Sequence, residues 1–243
     1  GPSGCGKTTL MRMLAGFEQP TTGRVLVEGQ DVTALAPYER SNINMMFQSY
    51  ALFPHMTVFD NIAFGLKNKK WNRRDIEQRV TELLALMSLE GLGGRYPHQL
   101  SGGQRQRVAI ARALAPRPSV LLMDEPFGAV DAKVRQELRE WLIRLHTDLN
   151  VTSLFVTHDQ EEAMEVSGRI IVFSKGKLEQ AGSPADVYEE PATEFVARFI
   201  GSMNIVAGVV RRAQVRVGSL ECPAPGFSDG QTLQVGFRPY YVK

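Results

Sequence analysis

The chain has 243 residues, 43% hydrophobic and 22% charged, with a formal net charge of +2. Such a chain is globular, one large domain or one with a small appendage, which excludes a disordered or fibrous protein. The charge is too small for a nucleic-acid stripe, and two cysteines make no disulfide framework and fit a reducing, cytosolic compartment. No apolar run reaches the ~18–20 residues of a membrane-spanning helix, so any membrane role is expected to be peripheral.

In chain order, Lys7–Ala15 reads as a short helix closed by the turn Pro20-Thr21-Thr22-Gly23. Residues 24–27 and 43–47 read as short strands. Ile76, Val80, Leu83, Leu84 and Met87 repeat on one face of an amphipathic helix. A second helix opens after Ser101-Gly102-Gly103. Residues 120–123 form an apolar run ending in two acids, the pattern of a buried parallel strand. Residues 131–149 read as a helix with Val134, Leu138, Trp141, Leu142, Leu145 and Leu149 on one stripe, followed by a strand at 153–156. This alternation predicts a parallel, doubly wound α/β sheet. Residues 170–173 and 178–180 flank Lys175-Gly176 as a hairpin, and Ser183-Pro184 opens another helix. From about Met203 the runs become short and β-like, predicting a small all-β appendage that stops after Phe237-Arg238-Pro239.

The chemistry begins at the first residue. Gly1-Pro2-Ser3-Gly4-Cys5-Gly6-Lys7-Thr8-Thr9 contains G-x-x-x-x-G-K-[ST] in front of a helix. Glycines let backbone N–H groups converge on a phosphate, the helix N-terminus adds positive potential, Lys7 reaches the phosphates and Thr8 offers a hydroxyl to Mg²⁺. Because Gly1 already belongs to this loop, a strand feeding it, and the groups holding a base, are expected upstream.

Asp124 and Glu125 end the apolar strand at the sheet edge where open α/β folds place ligands. Asp124 suits Mg²⁺, and Glu125 suits a general base for an attacking water. His158 follows the next strand at that edge, where it can touch a γ-phosphate or serve only as a structural hydrogen-bonding residue. Asp159 and Glu162 read as a capping box for the helix beyond.

Leu100-Ser101-Gly102-Gly103-Gln104 spells L-S-G-G-Q, the signature of ABC ATPases, and the chain resembles that family in the same order of motifs from Gly1 to about Gly201. Gln48 matches the glutamine loop, and Gly128-Ala129-Val130-Asp131 matches the loop after the acidic strand. The resemblance implies a P-loop NTPase (RecA-like) core over residues 1–202, with a helical signature subdomain at about 50–115 and a truncated β-barrel-like appendage over 203–243. It implies ATP bound by residues 1–9 of one cassette and by Ser101, Gly102, Gly103 and Gln104 of a second, in a homodimer. It implies Mg²⁺ held by Thr8, Gln48 and Asp124, with Glu125, His158 and Gln48 catalytic. The aromatic segment 48–66, with Tyr50, Phe53, Phe59 and Phe64, is either core of the helical insert or the surface that receives a permease subunit.

V-T-H-D-Q-E-E-A, L-E-Q-A-G-S-P and Y-E-E-P-A-T-E-F-V-A-R-F-I-G resemble importer ATPases, and E-L-R-E-W-L-I-R-L-H with G-F-R-P is most similar to the sulfate and thiosulfate group. The resemblance implies permease subunits and a solute-binding protein as partners, at the cytoplasmic face of the membrane, with no nucleic acid. Polyamine, maltose-type sugar or ferric iron are the other solutes of this class. A cytosolic ABC ATPase without transport is the alternative of another class, and only about fifty residues between Gln48 and Leu100 leave it no room for a long coiled coil.

Overall fold

The computed structural model describes residues 1–40, 42–128, 132–149, 151–201, 203–218 and 220–238, with the side chains of all but 133, 134, 141, 144–149 and 220. Ala129, Val130 and Asp131 of the loop after the acidic pair, Pro239, and the side chains of Val134, Trp141, Leu145 and Leu149 lie outside the described residues. Packing divides the chain into two units, Gly6–Val166 and Gly1–Cys5 with Ser167–Lys243.

In the first unit α1 (Lys7–Ala15) is followed by a small ribbon, β1 (Leu26–Val27) and β2 (Gln30–Asp31). Glu28 and Gly29, both at positive φ, turn it as a two-residue hairpin. The buried Arg40 ties this region to α1, donating to Met13 O and Leu14 O at 2.8 Å each and so satisfying carbonyls at the helix end. Next come β3 (Ile43–Met46), α2 (Val58–Asn68), α3 (Arg73–Leu86), a 3-10 turn at Pro97–Gln99, and α4 (Gly102–Leu114). Then β4 (Val120–Asp124), α5 (Ala132–Leu149), β5 (Thr152–Val156) and α6 (Gln160–Val166) complete the unit.

β3, β4 and β5 form a parallel sheet with β4 in the middle, as the strand–helix alternation predicts. Side chains of β4 alternate between its faces. Leu121 and Met123 join the larger core with Val58, Ile62, Leu83 and Leu114, whereas Leu122 packs with Met11, Ala15 and Val156. Burial on both faces is why the strand is apolar throughout. On α3 the predicted stripe is buried at Ile76, Val80 and Leu83, with Met87 just past its end and Leu84 partly covered. α2, which the periodicity does not single out, starts at Thr57, whose hydroxyl accepts from Asp60 N–H at 3.1 Å. Of the four aromatics with an open role, Tyr50 is buried in this core, and Phe59 packs against it half-buried. Phe53 and Phe64 are half-buried with ring centroids 4.6 Å apart.

The second unit holds the expected hairpin, β6 (Ile170–Ser174) and β7 (Lys177–Gly182), turned at Lys175-Gly176. Residues 1–5 pack on it: Gly176 N–H donates to Cys5 O at 3.1 Å, and a Cβ on Gly1 would collide with the Phe173 carbonyl oxygen. α7 (Pro184–Glu189) has Ser183 and Asp186 in a reciprocal capping box, and α8 (Glu194–Phe199) follows. The appendage is an antiparallel sheet in the order β10 (Leu220–Pro223), β9 (Gln214–Val217), β8 (Asn204–Arg211), β11 (Thr232–Phe237). No described helix is long and apolar enough to cross a membrane.

Candidate nucleotide site

Strand register decides which residues meet. Met46 pairs with Met123, and Asp124 with Val156, so the carboxyl ends of β3, β4 and β5 finish side by side. Gln48, Glu125 and His158 each lie within two residues of those ends. They converge: Gln48 Nε2 donates to Glu125 Oε2 at 2.7 Å, and His158 Nδ1 lies 3.2 Å from Glu125 Oε1. Both oxygens of one carboxylate are thus engaged.

Glu125 reaches this position through a left-handed backbone, φ 47°, at the turn leaving β4. A non-glycine residue there costs ~1–3 kcal/mol, a strain that persists only where its surroundings impose it. Here the imposing bond is Glu125 N–H to Val156 O at 2.9 Å. Asp124 beside it is buried and accepts a hydrogen bond from the Thr8 side chain. Burial first, and the charge of Glu125 second, push its carboxyl above the usual range, while the Thr8 bond and Lys7 pull it down.

α1 begins at Gly6, whose φ of 101° only glycine adopts without strain, and no side chain caps its first turn. The N–H groups there face no acidic side chain of the helix itself. Residues 1–5 of the same loop lie in the other unit, where Cys5 is 4% exposed. α4 starts differently. Ser101 Oγ accepts from Gln104 N–H at 3.2 Å, and Gln104 Oε1 accepts from Ser101 N–H at 3.0 Å. Gly102 and Gly103 form its first turn.

The donor set of Thr8, Gln48 and Asp124 is hydroxyl, amide and carboxylate oxygen, the hard ligands Mg²⁺ takes, and Thr8 and Asp124 are already in contact. Among the described residues no cluster of three or more His, Cys, Asp or Glu could hold a metal by itself. That fits an ion that completes its shell with phosphate and water.

Sequence reading of this edge misses several supports. Tyr50 and Ala51, just after Gln48, both have positive φ. Arg112 of α4 clamps them, donating to Ala51 O at 2.7 Å and Tyr50 O at 2.8 Å with its guanidinium over the Phe53 ring. Fully buried Asn61 accepts from Phe53 N–H at 2.8 Å and donates to the carbonyls of Phe53, Met56 and Thr57, which fixes the turn into α2. The capping box expected of Asp159 and Glu162 is corrected by half. Asp159 Oδ1 accepts from Glu161 N–H and Glu162 N–H, but Asp159 N–H donates to Thr157 Oγ1 instead of the Glu162 carboxylate.

A family model described as ABC transporter matches residues 1–128. The sulfate/thiosulfate import ATP-binding protein CysA of Pectobacterium atrosepticum is 61% identical over 208 residues, 84% of this chain and 63% of that protein. The import protein CysA 1 of Chromobacterium violaceum is 55% identical over 245 residues, 99% of this chain and 68% of that protein. The chain therefore spans about two thirds of the length of these curated relatives. Among solved structures, a dimeric ATP-binding cassette in a post-hydrolysis state bound to ADP and Pi superposes with a TM-score of 0.67 at 33% identity, over 75% of this chain and 82% of that one. For cbiO1 of Clostridium perfringens, part of the ABC transporter complex cbiONQ, the TM-score is 0.72 at 30% identity, over 82% of this chain and 79% of that one.

Proposed function

The chain belongs to the ABC transporter family, and from that premise we propose that it is the ATP-hydrolysing subunit of an importer for sulfate or thiosulfate. The observation that carries the motor reading is the Glu125 carboxylate, gripped by Gln48 on one oxygen and by His158 on the other. The solute follows from the two import relatives at 61% and 55% identity.

Residues 1–9 cradle the phosphates of ATP, with Lys7 on the β- and γ-phosphates. Mg²⁺ belongs with Thr8, Gln48 and Asp124, where it supplies charge neutralisation on the phosphate oxygens when bound. Glu125 takes the proton of the water that attacks the γ-phosphorus, while the bond to the ADP oxygen breaks. To act, the carboxylate releases at least one present partner. Gln48 or His158, once released, turns to the γ-phosphate, so filling the site and freeing the base become one event. Ser101, Gly102, Gly103 and Gln104 of a second copy close over the same ATP in a head-to-tail dimer, which hydrolysis reopens.

Residues 1–202 act as the ATPase domain, with the helical subdomain at about 50–115, and residues 203–243 begin the β appendage. The working partners are permease subunits and a solute-binding protein, with the chain peripheral at the cytoplasmic face. The test is uptake of labelled sulfate into vesicles carrying the complete polypeptide with its permease and solute-binding subunits. ATP-dependent uptake that thiosulfate suppresses and spermidine does not is the expected result. Intact ATPase with no sulfate uptake removes the solute and keeps the motor.

A further inference from the structure

His158 has an aim that its own surroundings do not explain. Its side chain is 63% exposed, so packing does not fix the ring, yet Nδ1 lies 3.2 Å from Glu125 Oε1. The backbone on either side must supply the direction. Both neighbours of His158 are tied to one oxygen: the Thr157 hydroxyl accepts from Asp159 N–H at 2.9 Å and donates to Glu162 Oε2 at 2.5 Å. Asp159 Oδ1 in turn accepts from Glu161 N–H and Glu162 N–H, which closes the ring of bonds on the first turn of α6.

Glu162 is 5% exposed, with Arg135 Nε 3.9 Å from its other oxygen. Burying a carboxylate is expensive, and a glutamate that merely supports a helix start works as well at the surface. Asp159 already caps α6, so helix-start chemistry does not account for Glu162. With Glu125, Thr157 and His158 it lines one cavity of about 60 Å³.

We infer that Thr157 and Glu162 are a positioning pair that aims His158 at Glu125, an inference that rests on reading Glu125 and His158 as working groups of the ATP site. The Thr157 hydroxyl is the pivot: it donates to the buried carboxylate and, by accepting from Asp159, locks the peptide on the far side of the histidine. Serine keeps both bonds and valine keeps neither. Glutamine at 162 keeps an acceptor for the hydroxyl, which alanine does not.

The experiment uses the complete polypeptide and two readouts. In the first, Thr157→Val and Glu162→Ala lower kcat per titrated nucleotide site about tenfold with KM for ATP within twofold, while Thr157→Ser and Glu162→Gln recover most of it. In a His158→Ala background Thr157→Val has no further effect, because residues acting as one unit are not additive. A further full tenfold loss in that background makes the pair merely structural and overturns the inference. The second readout needs no turnover. The His158 imidazole NMR signals shift on Glu125→Gln, and that shift shrinks at least by half when Thr157→Val or Glu162→Ala is also present. An undiminished shift sinks the positioning pair even with ATPase intact. A diminished shift in a protein that does not hydrolyse ATP keeps the pair and removes the proposed function.

Discussion

Two helix starts in the same unit, both proposed above to face phosphate, are built in opposite ways. α1 opens on a left-handed glycine, with no side-chain cap and Lys7 as its first residue. α4 opens on Ser101, whose hydroxyl is spent on Gln104 N–H while Gln104 reaches back to the Ser101 N–H. The first has no side-chain cap on its opening turn, and the second satisfies two of its own polar groups before any ligand comes. On the proposed function, that difference separates a start able to bind phosphate alone from one that must be met by a second copy. It predicts that ATP affinity resides in α1 and that α4 contributes only once two chains pair.

The largest break in the comparison is Lys7→Ala. Loss of one charge-assisted bond to phosphate, worth ~1.5–3 kcal/mol, lowers ATP affinity by about 10- to 100-fold. Isothermal titration of the monomer checks this, and affinity within twofold of the parent would move the phosphate site away from α1.

Gly6→Ala comes next, because φ 101° places a Cβ in a region that L-residues avoid. We expect ~1–2 kcal/mol of lost stability together with weakened ATP binding, since the backbone N–H groups can no longer converge. Ser101→Ala sharpens the contrast from the other side. Loss of an N-cap costs ~1 kcal/mol, with no strain released, so thermal unfolding should move down by a few degrees. Equal losses in ATP affinity for Gly6→Ala and Ser101→Ala in the monomer would erase the distinction between the two starts.

Both starts were legible in the sequence, since each is a local pattern: glycines at fixed offsets before lysine in one, and Ser101-Gly102-Gly103 in the other. The strands were legible for a related reason. Leu121, Leu122 and Met123 have to be apolar when both faces of β4 are covered. What the sequence hid is long-range pairing of polar groups. Arg112 reaches carbonyls some sixty positions earlier, at Tyr50 and Ala51, and nothing in its local pattern marks it. Asp159 and Glu162 have the spacing of a capping box, yet Thr157 captures both the Asp159 N–H and the Glu162 carboxylate. Spacing proposes a partner, but the nearest hydroxyl in three dimensions decides it. α2 escaped notice because its aromatics are only half-covered and blur the apolar stripe.

The smallest expected effect concerns the acid beside α1. Asp124 contacts Thr8, and burial, more than the neighbouring Glu125, raises its carboxyl above the ordinary value. Between its unfolded value and that raised one, the folded protein holds more protons than the unfolded chain, so stability falls as pH rises through the interval. Above it the penalty is complete, and a ligand-free protein at neutral pH carries it in full. Asp124→Asn removes the charge and should raise the melting temperature at pH 7 by a degree or two, the size of a small shift in stability for a domain of this length. The gain should shrink as pH is lowered toward the usual carboxylate range, where the parent protonates and the two proteins converge. Ser101→Ala should show no such convergence, because no titrating group touches that cap. No gain for Asp124→Asn at any pH would mean that the Thr8 bond and Lys7 already compensate the buried charge, and that the acid at α1 holds its place at no cost to the fold.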